Sequence, residues 1–404
     1  MANLMKFQNL KALSYALLFL GFYFGGRFAI NGIAFFVLVA ISGFFVNGAL
    51  PYRHFNKLLL IPVFFYLLYF LSVFHSGNPK AAWFDMQVKF SFLILPMIIG
   101  FEKPANKPTV KSVLLLFSAA SLVSAAFLLI RAFVLFYKNG ILPEYRLFSP
   151  FVHVSYISAY FTFNIIVNIF LFNNLKSNKI RLASFLSSLL SLFSIIFCDS
   201  KTAFIIILLI SIYFVFKLLS KHDKLTAALA ITTLFLASLL ALSHTSRFKA
   251  LLSSLYNYNR IINGENIYVE SSGERIMSWS AALRLIKENF WTGLGNGDTK
   301  EALTEKYNEL GYNKAAELRL NAHNQYLETF LALGISGFLV LSVLLFAPLF
   351  FSHGNLDFLL RFFIFIFAVN FLFESMFNTQ AGMIFFMFFY SFLISKNLPD
   401  NEIL

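Results

Sequence analysis

Charged residues are scarce in this chain. Only 13% of its 404 residues are Asp, Glu, Lys or Arg, whereas a soluble globular domain has about 25%. Hydrophobic residues make up 59%, and Phe alone supplies 55 residues. Many apolar runs reach the roughly 20 residues with which a helix crosses a bilayer. This composition excludes a single soluble domain and indicates a polytopic membrane protein.

Cysteines and clustered metal ligands are also nearly absent. The single cysteine, Cys198, excludes an intramolecular disulfide, so cysteine usage says nothing about redox compartment. The sequence has no His-x₃-His pair, no cysteine cluster and no dense group of carboxylates in its hydrophilic region. We therefore expect no cofactor, and any catalysis is expected to be metal-independent.

The apolar runs lack the inside-outside alternation of a membrane β-barrel. They predict an all-α bundle of about 12 transmembrane helices with one large loop. The predicted spans lie at 10–28, 32–49, 57–75, 83–101, 110–136, 151–173, 181–198, 201–218, 225–243, 323–350, 357–375 and 380–396. The chain thus divides into helices 1–9 at 1–242, a loop at 243–322, and helices 10–12 at 323–404.

The net charge of +13 follows this topology. Lysines and arginines concentrate in the short loops on one side of the predicted spans, which is typical of cytoplasmic loops. We therefore expect cytoplasmic termini and a location on the outer face for the long loop. The first apolar run lacks a cleavage site and predicts an uncleaved anchor. Membrane topology explains the positive charge, so no nucleic-acid partner is expected.

The loop at 243–322 has its own folding signals. Residues 280–289 and 300–310 both show helical apolar spacing, which predicts a mostly helical cap on the bundle. Gly-Leu-Gly-Asn-Gly at 293–297 separates these two stretches. A glycine-rich phosphate loop follows a buried strand and opens a helix. This run follows Asn-Phe-Trp in a helical protein, so it predicts a turn.

Several cations fall on the predicted outer side. Lys201 follows the tight turn after the seventh span, and Ser200 is placed to cap the eighth helix. A helix N-terminus with a cation favours anions, although Lys201 could instead extend only to the membrane interface. Arg146, Arg275 and Arg284 add paired donors that suit phosphate.

Two histidines stand near these cations. His323 lies where the long loop meets the tenth span, followed by Asn324, and an imidazole there suits a general base on a sugar hydroxyl. An interfacial histidine without chemistry is the alternative interpretation. His153 opens the sixth span and could face the same outer cavity.

These residues carry a resemblance to a known family. His323-Asn324 is followed by nine residues and Gly334, at the end of a large outer loop. Gly273-Glu-Arg275 with Trp279 lies upstream. This pattern resembles the O-antigen ligase and polymerase family of bacterial inner-membrane glycosyltransferases, over about residues 150–335. Many members have arginine where this chain has Lys201, and lysine loses bidentate phosphate recognition.

The resemblance implies a GT-C-like inner-membrane enzyme that acts on the periplasmic face. The donor would be a glycan on undecaprenyl diphosphate, and the acceptor a hydroxyl such as that of lipid A–core, within surrounding membrane lipids. It implies that His323 abstracts the acceptor proton. Arg275 and Lys201, with Arg146 or Arg284, would stabilise the leaving diphosphate, and Asn324, Ser200 and His153 would support the site. Direct displacement would invert the anomeric carbon.

Three alternatives stay open on this sequence. A polymerase joining lipid-linked repeats, or a protein-glycosylating branch, would use the same chemistry with another acceptor. A polysaccharide or lipid transporter is the alternative from a different class. Transporters tend to place charged residues near the midplane in repeated halves, whereas this chain concentrates them at one face.

Overall fold

The computed structural model of the protein describes residues 2–47, 55–102, 109–140, 143–219, 246–265 and 271–397. These residues are helical throughout and form no β-strand. The helices are α1 (Ala2–Phe24), α2 (Gly26–Asn47), α3 (Leu60–Val73), α4 (Pro79–Lys89), α5 (Ser91–Phe101), α6 (Val110–Asn139), α7 (Val154–Asn174), α8 (Asn178–Cys198), α9 (Lys201–Leu219), α10 (Ser246–Tyr256), α11 (Tyr258–Ile262), α12 (Ser271–Glu288), α13 (Thr299–Glu309), α14 (Asn313–Glu317), α15 (Gln325–Phe351), α16 (Asp357–Phe371) and α17 (Gln380–Lys396). The predicted all-α class is confirmed for this part of the chain.

Membrane-crossing helices account for much of this architecture. Six helical stretches within the described residues are long and apolar enough to cross a membrane: Gly26–Gly43, Pro79–Phe101, Val110–Asn139, Val154–Asn174, Asn178–Cys198 and Gln325–Phe351. Shorter apolar helices lie at Lys57–Val73 and Gln380–Lys396. The predicted span at 225–243 lies outside the described residues, so the count of twelve stays a prediction.

Phenylalanine rings fill the interior of the bundle. Phe385 and Phe389 on α17 pack against rings of α6 and α7: Tyr160 and Phe385 are stacked with centroids 4.0 Å apart, and Phe117 and Phe389 meet edge to face with centroids 4.7 Å apart. Lipid is as apolar as these side chains, so close packing stabilises such a bundle more than the hydrophobic effect does. Interior packing therefore accounts for one part of the abundant Phe, and other Phe side chains are exposed on the outside of the helices.

Polar side chains add hydrogen bonds between α6, α7 and α8. Ser118 donates to Asn168 Oδ1 at 2.6 Å, and Asn164 donates to Ser187 and Ser191 at 3.0 and 2.9 Å. All five side chains are buried. Hydrogen bonds between helices are a recurrent stabilising feature of membrane bundles, and these fix α7 at the centre.

The cap consists of helices α10–α14, and its predicted helical content is confirmed. The prediction at 300–310 matches α13 to within one residue at each end, and the one at 280–289 overlaps the second half of α12, which begins nine residues earlier and ends at Glu288. Apolar residues of α12, α13 and α14 pack into a core of their own, which Leu331 of α15 joins. The first part of α15 thus packs with the cap.

A break in α15 separates that first part from the rest of the helix. Gly334 has φ 63° and ψ −158°, a conformation essentially limited to glycine. The break exposes backbone groups that the glycine turn satisfies: Leu294 N donates to Leu331 O at 2.7 Å, and Gly295 N to Ala332 O at 3.0 Å. The predicted continuous span at 323–350 is therefore two helical segments that meet at Gly334.

The glycine-rich run at 293–297 forms this turn, as predicted. Beyond its contacts with α15, it bonds to the end of α3: Ser72 donates to Asn296 Oδ1 at 3.0 Å, and Ser76 donates to Asp298 at 2.7 Å. An added Cβ at Gly297 would overlap the backbone of Asn78. The run therefore joins the cap to two membrane helices.

Candidate active site

The site is built around the N-terminus of α15. Asn324 caps this helix: its Oδ1 accepts from Leu327 N at 3.0 Å, while its Nδ2 donates to Leu372 O at 3.1 Å. His323, immediately before the cap, has φ 46°, which is uncommon for a residue other than glycine. Its backbone N–H donates to Asn321 Oδ1 at 2.9 Å. These contacts turn the imidazole away from the helix axis and toward the segment after α16.

Glu374 is the residue that the imidazole meets. His323 Nδ1 lies 3.4 Å from Glu374 Oε1, slightly longer than a well-formed hydrogen bond. Arg275 Nη2 lies 3.8 Å from Glu374 Oε2, and Ser155 Oγ donates to the same oxygen at 3.3 Å. A buried carboxylate thus links His323, Arg275 and the start of α7.

The charges around Glu374 keep it ionised. Burial alone would raise the pKa of this carboxyl, but His323, Arg275 and His153 together lower its pKa below the ordinary value. An ionised carboxylate facing Nδ1 is placed to accept a hydrogen bond from that nitrogen once the two side chains approach more closely. In that tautomer Nε2 of His323 carries the lone pair.

Arg275 is fixed by the same segment. Its Nε donates to Phe373 O at 2.9 Å and its Nη1 to Ser271 O at 3.2 Å. These bonds join the first turn of α12, in the cap, to the end of α16. The guanidinium also borders a cavity of about 260 Å³, where it meets groups from α9.

Lys201 and Ser200 line this cavity from the other side. Lys201 begins α9, as predicted, and Ser200 Oγ accepts from Ala203 N at 3.4 Å, consistent with a helix cap. Lys201 Nζ donates to Ser272 Oγ at 2.8 Å. The cavity therefore combines a lysine, an arginine and a helix N-terminus, the groups that favour an anion.

His153 lies next to this cluster, at the N-cap of α7. Its Nδ1 accepts from Ser155 N at 3.4 Å, and its Nε2 is 3.5 Å from Tyr145 Oη. Burial is the main cause that lowers its pKa; nearby Glu374 raises it, whereas Arg146, Arg275 and His323 lower it further. The lowered pKa favours the neutral imidazole of His153, and its Nδ1 serves as a hydrogen-bond acceptor.

Two predicted cations lie outside the cluster. Arg146 is exposed at its edge, with its guanidinium 5.7 Å from the Tyr145 ring centroid. Arg284 is exposed on α12, nine residues beyond Arg275 and thus on the opposite face of the helix. The structure does not bring Arg284 to the site.

Glu374 was missed by the sequence analysis, which placed it inside the span at 357–375 and examined only cations and histidines. An acidic residue in the apolar run Phe-Glu-Ser-Met is a signal that could have found it, because ionisable groups at membrane depth are costly. Among the residues that the structure describes, no group of three or more His, Cys, Asp or Glu could hold a metal ion.

The fold and this cluster define a helical membrane protein with a histidine, a carboxylate and cations beside one cavity. Comparison with known proteins shows which family this chain resembles. Residues 186–342 match the family model described as O-antigen ligase, a stretch that contains Lys201, Arg275 and His323. The match confirms the predicted resemblance to the O-antigen ligase family and supports a membrane glycosyltransferase of the ligase or polymerase type.

A curated relative extends the similarity beyond that stretch. An uncharacterized protein from Haemophilus influenzae strain Rd is 23% identical over 310 residues, which cover 75% of this chain and 74% of the relative.

Proposed function

We propose that the protein transfers a glycan from undecaprenyl diphosphate to an acceptor hydroxyl, such as one on lipid A–core, at the periplasmic face of the bacterial inner membrane. The observation that carries the proposal is Glu374, which contacts both His323 and Arg275 at the edge of a cationic cavity. Glu374 thus places a candidate base, His323, beside a candidate anion site that contains Arg275.

In the proposed reaction, Nε2 of His323 takes the proton of the acceptor hydroxyl. The hydroxyl oxygen attacks the anomeric carbon, and the bond from that carbon to the diphosphate oxygen breaks. Undecaprenyl diphosphate leaves with the bonding electron pair, and the configuration inverts. Glu374 stabilises the imidazolium that forms, in the manner of a buried carboxylate behind a catalytic histidine.

Arg275 and Lys201 would bind the diphosphate in this scheme. Arg275 is held by two backbone carbonyls and Lys201 by Ser272, so neither side chain needs to be ordered when the donor binds. Arg146 lies near enough to assist from the edge. We leave Arg284 out of the proposal because it faces away.

The lysine that replaces the family arginine fits this division of roles. Arg275 supplies the planar, paired donors, and Lys201 adds a point charge at the N-terminus of α9. Because Arg275 and Lys201 would offset the negative charge of the leaving diphosphate, we propose that the reaction needs no metal ion.

Purified protein with its lipid-linked donor tests the proposal. His323→Ala and Arg275→Ala should each abolish transfer, while Arg284→Ala should retain it and serves as the matched control. Transfer that persists in the His323→Ala protein would refute the assigned base.

The acceptor requires a separate experiment. In a strain without its own ligase, restored glycan on lipid A–core would support a ligase. In a strain without its polymerase, lengthened chains would support a polymerase. Movement of donor across the membrane without glycosidic bond formation would support the transporter alternative instead.

A further inference from the structure

Phe290 and Trp291 form an exposed aromatic pair at the foot of the cap. Trp291 is 76% exposed and Phe290 is 40% exposed, and their ring centroids are 5.2 Å apart. Isolated surface aromatics need no explanation, but adjacent exposed ones mark an interaction surface. The proposed reaction does not use either ring.

The backbone of this pair is fixed to the break in α15. Ile335 N donates to Phe290 O at 2.9 Å, and an added Cβ at Gly334 would overlap Trp291 O. The pair therefore lies beside the point from which α15 continues as an apolar helix. Neither its position nor its exposure results from a loose loop.

Exposed apolar side chains also occur on the helices near the pair. Along α15 beyond the break, the exposed residues recur with helical spacing on one flank: Ser336, Leu339, Val343, Phe346 and Phe350. On neighbouring α3 and α4, Phe74 and Trp83 are exposed as well. Tryptophan is enriched where membrane helices meet the headgroup region.

We propose that Phe290 and Trp291 anchor the cap in the lipid leaflet on the cap side, at the boundary between headgroups and acyl chains. The anchor would set the height of the Gly334 break relative to the bilayer. Through the segment from Gln325 to Leu333, it would also set the height of His323. Lipid is thus a positioning partner of the site, separate from any lipid-linked substrate.

The three tryptophans of the chain, Trp83, Trp279 and Trp291, make the proposal measurable. The full-length protein carrying Trp83→Phe and Trp279→Phe retains Trp291 alone and is reconstituted in phosphatidylcholine vesicles. Acyl chains brominated near the headgroup should quench most of its emission. Chains brominated near the bilayer centre should quench less, and acrylamide in the water should have little effect.

The matched control carries Trp83→Phe and Trp291→Phe and so retains Trp279, which lines the cavity. Its quenching by shallow bromine should be weaker. Equal quenching of the two proteins, free access of acrylamide to Trp291, or shielding of Trp291 from both quenchers by a protein contact would overturn the proposal.

A second measurement needs one conservative change only. Trp291→Phe in the otherwise unchanged protein should reduce the component of emission that shallow bromine quenches, and the remainder is expected from Trp83, which is also exposed. An unchanged quenching profile would contradict the anchor whatever the paired variants show. Melting temperatures of all variants in detergent establish that each is folded.

Discussion

Replacing Glu374 with Gln tests the pairing of this carboxylate with His323. The substitution keeps the shape of the side chain but removes the charge that faces the imidazole at 3.4 Å. At an effective dielectric constant of about 20, a unit charge pair at that distance is worth roughly 5 kcal/mol. The His323 side chain is 24% exposed, and solvent screening reduces the value to about 2–3 kcal/mol.

The charge of Glu374 contributes this energy only once His323 has taken the proton and become an imidazolium. We therefore expect Glu374→Gln to lower kcat by roughly one-hundred-fold, with a smaller change in the KM for the donor. Glu374→Asp keeps the charge, so its kcat should lie between those of the wild-type protein and Glu374→Gln. The assay is transfer from the purified lipid-linked donor, measured as initial rates at saturating donor.

Control variants separate catalysis from folding. Glu317→Gln makes the same charge change at an exposed position of the cap and should leave the rate unaltered. Arg275 retains Phe373 O and Ser271 O as acceptors in the Glu374→Gln protein, so the fold should persist, which a melting curve verifies. A folded Glu374→Gln protein with the wild-type kcat would refute the reasoning.

Three further predictions concern the surroundings of this pair. Gly334→Ala should destabilise the protein by at least about 2 kcal/mol, because its backbone conformation is limited to glycine, whereas Ser336→Ala should change stability by no more than about 0.5 kcal/mol; equal melting temperatures would contradict this. Lys201→Ala should raise the KM for the donor and Lys201→Arg should restore it, and an unchanged KM in Lys201→Ala would exclude Lys201 from donor binding. Burial lowers the pKa of His153, so the unfolded chain binds a proton first as the pH falls below about 6.5, and stability falls over that range. His153→Asn keeps a cap and should reduce this loss between about pH 7.5 and 5.5 in thermal melts; an identical loss would refute it.

The sequence predicts helices and individual cations well because both depend on local signals. Lys201 at the first turn of α9 and the helices of the cap follow from capping and periodicity. Glu374 was missed because its role depends on contact with His323, which lies 51 positions away along the chain. A single sequence carries no signal that these two residues are close in space. For Arg284 a local rule was sufficient. It lies nine residues after Arg275, and helical geometry alone places it on the opposite face of the helix.

Hydropathy also did not predict the helix break at Gly334. Apart from Glu328 and Thr329, the segment from Tyr326 onward is largely apolar, so its hydropathy predicts one span. Only the backbone bonds from the 293–297 turn show that the run divides, with its first part packed in the cap. Tertiary contacts, and not composition, decide where this helix ends.

The nine residues from Gln325 to Leu333 fix the distance between His323, the proposed base, and the helix break at Gly334. A helix of that length measures about 14 Å and makes two and a half turns. Inserting or deleting one residue would shift His323 by about 1.5 Å and rotate it by about 100°, away from Glu374. Substitutions at the partly buried positions Tyr326, Leu327 and Phe330 leave length and phase unchanged. The number of residues between His323 and Gly334 is thus a mechanical constraint in its own right, separate from the packing of the side chains between them.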